Sequence, residues 1–195
     1  LIAARLAADR WLIVVNAGTR EGDVARMREI ARRSGLAKVD LEDQSERWAM
    51  IAVQGPGWKE VCRAAIGSGD WAEMRSYRIA ESTFAGKPLL VSTTGYTGEK
   101  GGELLCAPEA AEERGKRRGA VGGRPVVLAA RDSLRLEMGY CLSGSDFTDA
   151  NDPFEAVLWW VVDLEKGEFS GSEALRKKEA AGPKRRLTGL LPEGG

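Results

Sequence analysis

The 195-residue sequence contains no histidine. This absence excludes a serine–histidine–aspartate triad, a cysteine–histidine pair, an HExxH zinc site and an imidazole base near neutral pH. Any proton transfer therefore has to use carboxylates, tyrosine, lysine or water. Cysteine is also scarce, and Cys62, Cys106 and Cys141 lie too far apart in sequence to form a CxxC ligand pair. We expect no structural metal, and the odd, sparse cysteine count suits a reducing cytoplasm.

Long apolar runs and an excess of one charge are absent as well. No stretch reaches 18 apolar residues, so neither a membrane span nor a signal peptide is predicted. The 29 basic and 29 acidic residues cancel, which argues against a general nucleic-acid binder. Basic clusters do occur at 114–118, 176–178 and 184–186, but acidic neighbours of the first two are typical of solvated surfaces. With 43% hydrophobic residues, the composition is that of a soluble globular protein.

The first third of the sequence predicts the element order β-α-β-β-α. A strand is expected over 11–16, a helix capped by Thr19 and stopped by Gly35, and strands over 37–42 and 48–53. A second helix should begin at Pro56. This order is most of a ferredoxin-like βαββαβ unit, in which two helices cover one face of an antiparallel sheet. The six tryptophans of the chain are expected mostly in the core, since Trp11, Trp48 and Trp58 lie in these apolar registers.

The remaining sequence continues an α+β pattern. Strands are expected over 75–82 and 87–93 around the turn at Ala85 and Gly86, and a marginal, polar helix over 107–123. One helical pattern covers 126–138, and another follows the predicted cap Asp152. Ser170 and Glu173 have the spacing of a capping box, which predicts a third helix that ends at Gly182. Strands are expected over 161–164 and at RRLTGLL.

Two stretches concentrate residues that could carry chemistry. In TTGYTGEKGGE, glycines surround Tyr96, Glu99 and Glu103, so the backbone could approach a ligand closely, although a wide hairpin loop is the simpler interpretation. The stretch has no GxxxxGK spacing and is not a triphosphate site. In ARDSLRLEMGY, Arg131 and Arg135 share one helix face, with acidic partners at Asp132 and Glu137, which by spacing alone is typical of a salt-bridged surface.

Five segments together resemble the T-protein family of the glycine cleavage system, the aminomethyltransferases. They are WLIVVNAGTREGD, MIAVQGP, TTGYTGEKGGE, ARDSLRLEMGY and FSGSEAL, and they follow the family's order along nearly the whole chain. The resemblance implies an enzyme that uses tetrahydrofolate to take an aminomethyl group from the lipoyl arm of the H protein. The products would be methylenetetrahydrofolate and ammonia, in the cytoplasm, or in the mitochondrion of a eukaryote.

The resemblance also implies a fold and a set of folate-binding residues. It predicts a ferredoxin-like lobe over 1–72, a second antiparallel α+β folate-binding lobe over 73–162 without its N-terminal part, and the beginning of a C-terminal barrel over 163–195. In the family, the carboxylate matching Glu103 holds the pterin, and a carboxylate suits its paired N–H donors. Tyr96, Arg131 and Tyr140 match further positions of the folate pocket.

The sequence departs from the family at several positions. The family's catalytic carboxylate belongs to an acidic pair before the segment matching LIAARL, so it would fall before Leu1, and no catalytic residue is expected in this chain, which would then be inactive alone. The stretch over 107–123 is shorter and less apolar than the family's helix there. Four residues stand where the family pattern leads us to expect Tyr, Asn, Gly and Gly: Ser143, Ser145, Val157 and Trp159.

Other readings remain open at this point. A folate-dependent protein of iron–sulphur cluster assembly shares the fold but carries a cysteine where this sequence has Glu168. The folate domains of sarcosine and dimethylglycine oxidoreductases are closer, but they follow a flavin domain. A non-catalytic folate-binding module is the alternative from a different functional class.

Overall fold

The computed structural model describes residues 1–35, 38–111 and 122–190. Its backbone divides into two compact units, Leu1–Val126 and Val127–Gly195. The first unit contains all of the described strands, in two antiparallel sheets, and the second is built from helices, turns and loops. The α+β class predicted from the sequence is confirmed.

The first sheet is a hairpin of strands β1 (Ile2–Arg5) and β2 (Trp11–Val14). Helix α1 (Arg20–Arg33) follows, with Thr19 at its N-cap and Gly35 in the left-handed conformation directly after its C-cap, so both predicted boundaries are confirmed. The Thr19 hydroxyl bonds to Asp23 instead of capping a backbone amide. At the hairpin, Arg10 reaches the second sheet and donates 2.9 Å hydrogen bonds to both oxygens of Glu81.

The second sheet has four antiparallel strands in the order β3-β6-β5-β4. Their bounds are β3 (Ala49–Gln54), β4 (Ile79–Phe84), β5 (Lys87–Ser92) and β6 (Gly101–Cys106). Strands from both sides of the predicted boundary at residue 72 share this sheet, and the three-part domain division remains a prediction.

Helix α2 (Trp58–Ile66) covers one face of the four-stranded sheet. It starts two residues after Pro56, and its apolar stripe enters the core through Trp58, Cys62 and Ala65. The Trp58 ring lies 6.0 Å from that of Trp71, which is only 1% exposed. The strands contribute alternate side chains to this core because successive residues of a strand point to opposite faces. These side chains are Val53, Leu89, Val91, Leu104 and Cys106.

Several expectations for the first unit were wrong. Residues 38–42 form no strand, while 36 and 37 lie outside the described residues. Instead, Asp43 accepts hydrogen bonds from Ser45 and Arg20, which favours a turn over a ladder. Trp11 is 57% exposed because it lies on the hairpin face that points away from the second sheet. The helix expected over 107–123 and the basic cluster at 114–118 fall largely outside the described residues.

The second unit contains helices α3 (Leu128–Glu137) and α4 (Ser172–Ala181). Helix α4 ends at Gly182 as predicted, but the predicted capping box is wrong because the helix starts after Gly171, which has a φ of +95°. The Ser172 hydroxyl bonds to Glu168 instead. Described residues 161–164 and 185–190 form no strand, in contrast to the prediction. Trp159 and Trp160 are exposed, so the expectation of a mostly buried set of tryptophans was also wrong.

The helix predicted after Asp152 closes after a single turn. Asp152 does act as the cap, accepting hydrogen bonds from the amides of Phe154 and Glu155 at 3.0 and 2.9 Å. The amide of Leu158 then bonds to Pro153 O, and that of Val157 bonds to Phe154 O. This pair of bonds is a Schellman motif, which ends a helix.

None of the described helices is long and apolar enough to cross a membrane.

Candidate functional site

Glu103 lies in the middle of the four-stranded sheet, on the face opposite α2. The register aligns Ala52, Glu103, Ser92 and Ile79 in one row across the four strands. The neighbours Gly102 and Leu104 face the α2 side, where Leu104 is part of the core. The alternation of β6 therefore places the carboxylate of Glu103 on the face that meets the hairpin.

This carboxylate is nearly buried and is held by hydroxyl groups. Glu103 is 7% exposed, and its Oε2 accepts a 2.5 Å hydrogen bond from Thr94 Oγ1. Thr94 Oγ1 is in turn 2.8 Å from Ser92 Oγ. The described residues give the carboxylate no other hydrogen bond. A carboxylate can accept about four hydrogen bonds, so Glu103 retains acceptor capacity for a ligand.

The hairpin and the four-stranded sheet enclose a depression at Glu103. Its walls are mostly apolar, with Ser92, Thr94 and Glu103 as its polar members. The apolar members come from both sheets: Ile2, Ala4, Leu12, Val14, Met50, Ile79 and Leu105. Its volume is about 10 Å³, roughly that of one water molecule, so a larger ligand could enter only if the hairpin and the sheet moved apart.

The glycine-rich stretch is the loop that joins β5 to β6, so the simpler interpretation, a wide hairpin loop, is confirmed. The Gln54 side chain lies inside this loop. Its Nε2 donates to Thr94 O and to Gly102 O, both at 3.2 Å, and its Oε1 accepts from Thr97 Oγ1 at 3.2 Å. A Cβ at Gly95 or Gly101 would lie 2.0 or 2.4 Å from Gln54 atoms, so a larger residue at either position would displace the Gln54 carboxamide. Tyr96 lies half-buried in the same loop.

Arg131 and Tyr140 belong to the second unit, on α3 and directly after it. Arg131 is half-buried, and Tyr140 is 38% exposed. The neighbouring Arg135 is the buried member of this segment at 5% exposure. It donates to Asp132 at 2.7 Å, to Tyr140 O at 3.0 Å, and to the carboxylate of Asp146. The predicted pairing of Arg135 with Asp132 is therefore confirmed, but the expectation that this pair lies on the helix surface is wrong, because Arg135 is buried.

The electrostatics of this segment follow from the same contacts. Hydrogen bonding to Asp132 and Asp146 raises the pKa of Arg135 above its ordinary value, which keeps the guanidinium charged. Burial, and then the charge of Asp146, raise the pKa of the Cys141 thiol. A thiol of raised pKa is a poor nucleophile near neutral pH. Arg135, paired with Asp146, thus holds the backbone carbonyl of Tyr140 through a hydrogen bond. The neighbouring Cys141 offers no reactive thiolate.

The structure places Glu103 and Tyr96 on one hairpin, whereas Arg131 lies in the first turn of α3 and Tyr140 lies after its C-terminal end. Sequence reasoning missed the roles of three further residues that shape these places: Thr94, Gln54 and Arg135. The first two had a signal, because polar residues directly after a strand and beside glycines commonly organise loops. No such signal marked Arg135, since its burial depends on the later loop that carries its partner Asp146. Across the three described ranges, no cluster of three or more His, Cys, Asp or Glu residues could hold a metal ion.

Comparison with known proteins gives a consistent result. Residues 1–166 match the family described as the GCVT N-terminal domain. The chain is 41% identical over 185 residues to an aminomethyltransferase of Herpetosiphon aurantiacus, covering 95% of this chain and 50% of that protein. It is 39% identical to an aminomethyltransferase of Thermus thermophilus, covering 98% of this chain and 52% of that protein.

A solved structure shows the same relationship. The fold is similar to the glycine cleavage system aminomethyltransferase T from Bartonella henselae, with a TM-score of 0.79 and 32% sequence identity. The match covers 94% of this chain and 49% of that one. The chain thus spans about half the length of the curated relatives and of the solved structure that it matches.

Proposed function

Because the chain belongs to the GCVT N-terminal domain family, we propose that it provides a tetrahydrofolate-binding surface for aminomethyl transfer. The donor would be the aminomethylated lipoyl arm of the H protein, and the products methylenetetrahydrofolate and ammonia. The substrate, the H-protein partner and a cytoplasmic location rest on the family relationship. Tetrahydrofolate, when bound, supplies the nitrogen atoms that receive the one-carbon unit.

The nearly buried carboxylate of Glu103 is the observation that carries this proposal. A pterin presents adjacent N–H donors in one plane, and a carboxylate accepts such a pair in two parallel hydrogen bonds. Thr94 occupies one acceptor position on Oε2 and restricts rotation of the group. The apolar walls contributed by Leu12, Met50 and Leu105 suit the faces of an aromatic ring system. The chemistry of these residues therefore suits a pterin, although the depression as it stands has room for only about one water molecule.

The other proposed folate-binding residues have roles that follow from their chemistry. Tyr96 would offer a ring face and a hydroxyl from the glycine-rich loop. Within the second unit, Arg131 would supply a cationic donor and Tyr140 a ring, from the segment that Arg135 organises. These roles are binding and orientation. They would hold folate in place for transfer, since positioning of reactants lowers the barrier of a group-transfer step.

The test is tetrahydrofolate binding by the purified chain, measured by titration calorimetry under nitrogen. Glu103→Gln keeps the shape of the side chain but removes its charge. It should weaken binding about ten- to a hundredfold, which corresponds to the loss of roughly 1.5 to 3 kcal/mol from charged hydrogen bonds.

Glu99→Gln is the matched control, because Glu99 is an exposed carboxylate of the same loop. The affinity of this variant for tetrahydrofolate should stay within about twofold of the wild-type value, since an exposed charge contributes little to binding. If both variants bind tetrahydrofolate as the wild type does, Glu103 is not a folate ligand. If the wild-type chain binds no folate, the proposed function of this chain is wrong.

A further inference from the structure

The Gln54 side chain connects three separate points of the glycine-rich loop. It bonds to Thr94 at the start of the loop, to Thr97 within it, and to Gly102 near the beginning of β6. A fourth contact ties the next residue to the same loop, because the amide of Gly55 donates to Lys100 O at 2.8 Å. One side chain at the end of β3 therefore satisfies backbone groups at both ends of the loop between β5 and β6.

The loop is shaped around this carboxamide. Gly95 and Gly101 leave room that any Cβ would take from Gln54, at 2.0 and 2.4 Å. The two glycines leave space for the carboxamide of Gln54, which donates to Thr94 O and Gly102 O and accepts from Thr97 Oγ1.

We infer that Gln54 is a positioning residue for folate binding, which fixes the loop conformation that presents Tyr96 and aligns Thr94 with Glu103. The inference rests on the proposed function. Gln54 acts through the loop: the carbonyl that it holds belongs to Thr94, whose hydroxyl holds the Glu103 carboxylate. A displaced Thr94 would free the carboxylate to rotate away from the orientation that a pterin needs.

Gln54→Glu tests this step with almost no change of shape. The new carboxylate has no N–H to donate, and it would face the carbonyls of Thr94 and Gly102 at the 3.2 Å that now separates them from Nε2. Repulsion between these oxygens should displace the loop. We expect tetrahydrofolate affinity to fall about ten- to a hundredfold, as for the loss of hydrogen bonds at a binding site.

Gln44→Glu is the matched control, because it makes the same exchange at a glutamine outside the loop whose amide bonds to Glu42 and Trp48. Gln54→Met is the second variant. It removes the hydrogen bonds without adding charge and keeps the inference testable if the Glu variant does not fold. Both Gln54 variants should weaken folate binding, and Gln44→Glu should not.

A spectroscopic readout separates positioning from general stability. The chain has three tyrosines, so 3-fluorotyrosine labelling gives three fluorine signals. In Gln54→Met, the Tyr96 signal should shift or broaden, while the Tyr77 and Tyr140 signals stay in place. Wild-type affinity in Gln54→Met, or an equal disturbance of all three signals, would overturn the inference. If the wild-type chain binds no folate, the proposed function fails on its own, and the Tyr96 signal alone decides whether Gln54 positions the loop.

Discussion

Thr94 and Glu103 face each other across the base of the glycine-rich loop, joined by a 2.5 Å hydrogen bond from Oγ1 to Oε2. The bond lies where the strands β5 and β6 separate, so it closes the hairpin and orients the carboxylate at once. Both residues are buried, at 6% and 7% exposure. In such surroundings a carboxylate without a partner is costly, and the Thr94 hydroxyl therefore stabilises the fold as well as the candidate site.

Thr94→Val should reduce the free energy of unfolding by about 1 to 3 kcal/mol. Valine keeps the branched shape but removes the hydroxyl, which leaves the buried carboxylate of Glu103 and the hydroxyl of Ser92 without this partner. Urea denaturation followed by tryptophan fluorescence measures the change. Thr83→Val on the exposed side of β4 is the control, and it should alter stability by less than about 0.5 kcal/mol. Equal effects of the two substitutions would contradict a structural role for the Thr94 hydroxyl.

Val157→Gly should stabilise the protein by about 1 kcal/mol. Val157 has a φ of +58° at the position of the Schellman motif that glycine usually occupies. A β-branched residue in this left-handed conformation is strained, and removing the strain outweighs the greater freedom of glycine in the unfolded chain. The side chain is 41% exposed, so little packing is lost.

The melting temperature measures this gain, and Val157→Ala is the control. Alanine also has a Cβ but is not branched, so its melting temperature should fall between those of the wild type and the glycine variant. A glycine variant that melts below the wild type would show that Val157 contributes more by packing than its backbone strain costs. The resemblance that led us to expect glycine at this position agrees with the backbone conformation found here.

Asp43→Asn should lower the melting temperature at neutral pH, and this difference from the wild type should disappear in acid. Hydrogen bonds from the Ser45 hydroxyl and amide, and then from Arg20, lower the pKa of Asp43 to about 2. The Asp43 carboxylate thus binds a proton less readily in the folded state than in the unfolded state. The contribution of Asp43 is therefore fully present above the ordinary carboxyl pKa and is lost as the pH falls through about 2.

The measurement is the difference in melting temperature between the wild type and Asp43→Asn from about pH 7 down to about pH 2. The difference should stay constant to about pH 5 and then shrink towards zero. Asp40→Asn, at an exposed carboxylate nearby, controls for the change in net charge. A difference that is the same at every pH would show that the asparagine acts through its shape and not through the lost charge.

Local signals along the chain predicted helices α1 to α4 and several turns correctly. The cap of α1 at Thr19, the glycine that ends α4, and the turn at Ala85 and Gly86 depend on residues a few positions apart. The glycine-rich loop also follows from its own composition, and the order of its residues identified Glu103 and Tyr96 as candidates. Such features are visible in a sequence because the groups that make them are sequence neighbours.

Three expectations failed where a distant partner decides the outcome. The segment after Leu41 bonds through Asp43 to Arg20, which lies on α1, and this contact replaces a strand. Trp11 belongs to an apolar run but lies on the outer face of its hairpin. Arg135 is buried because Asp146, eleven residues later, folds back onto it. Periodicity shows that a residue can be buried, but not which neighbour will cover it.

Four features followed from the amino-acid sequence alone: the α+β class, the glycine-rich loop, the resemblance to the T-protein family and the candidate folate residues. The tertiary structure decided that Glu103 faces the hairpin, because the side on which a strand residue lies depends on the register with its neighbours. It also decided that Gln54 enters the loop between Gly95 and Gly101, some 40 residues away. These arrangements require strands distant in sequence to pair, and the free energy of that pairing is shared among many side chains and cannot be assigned to any short segment.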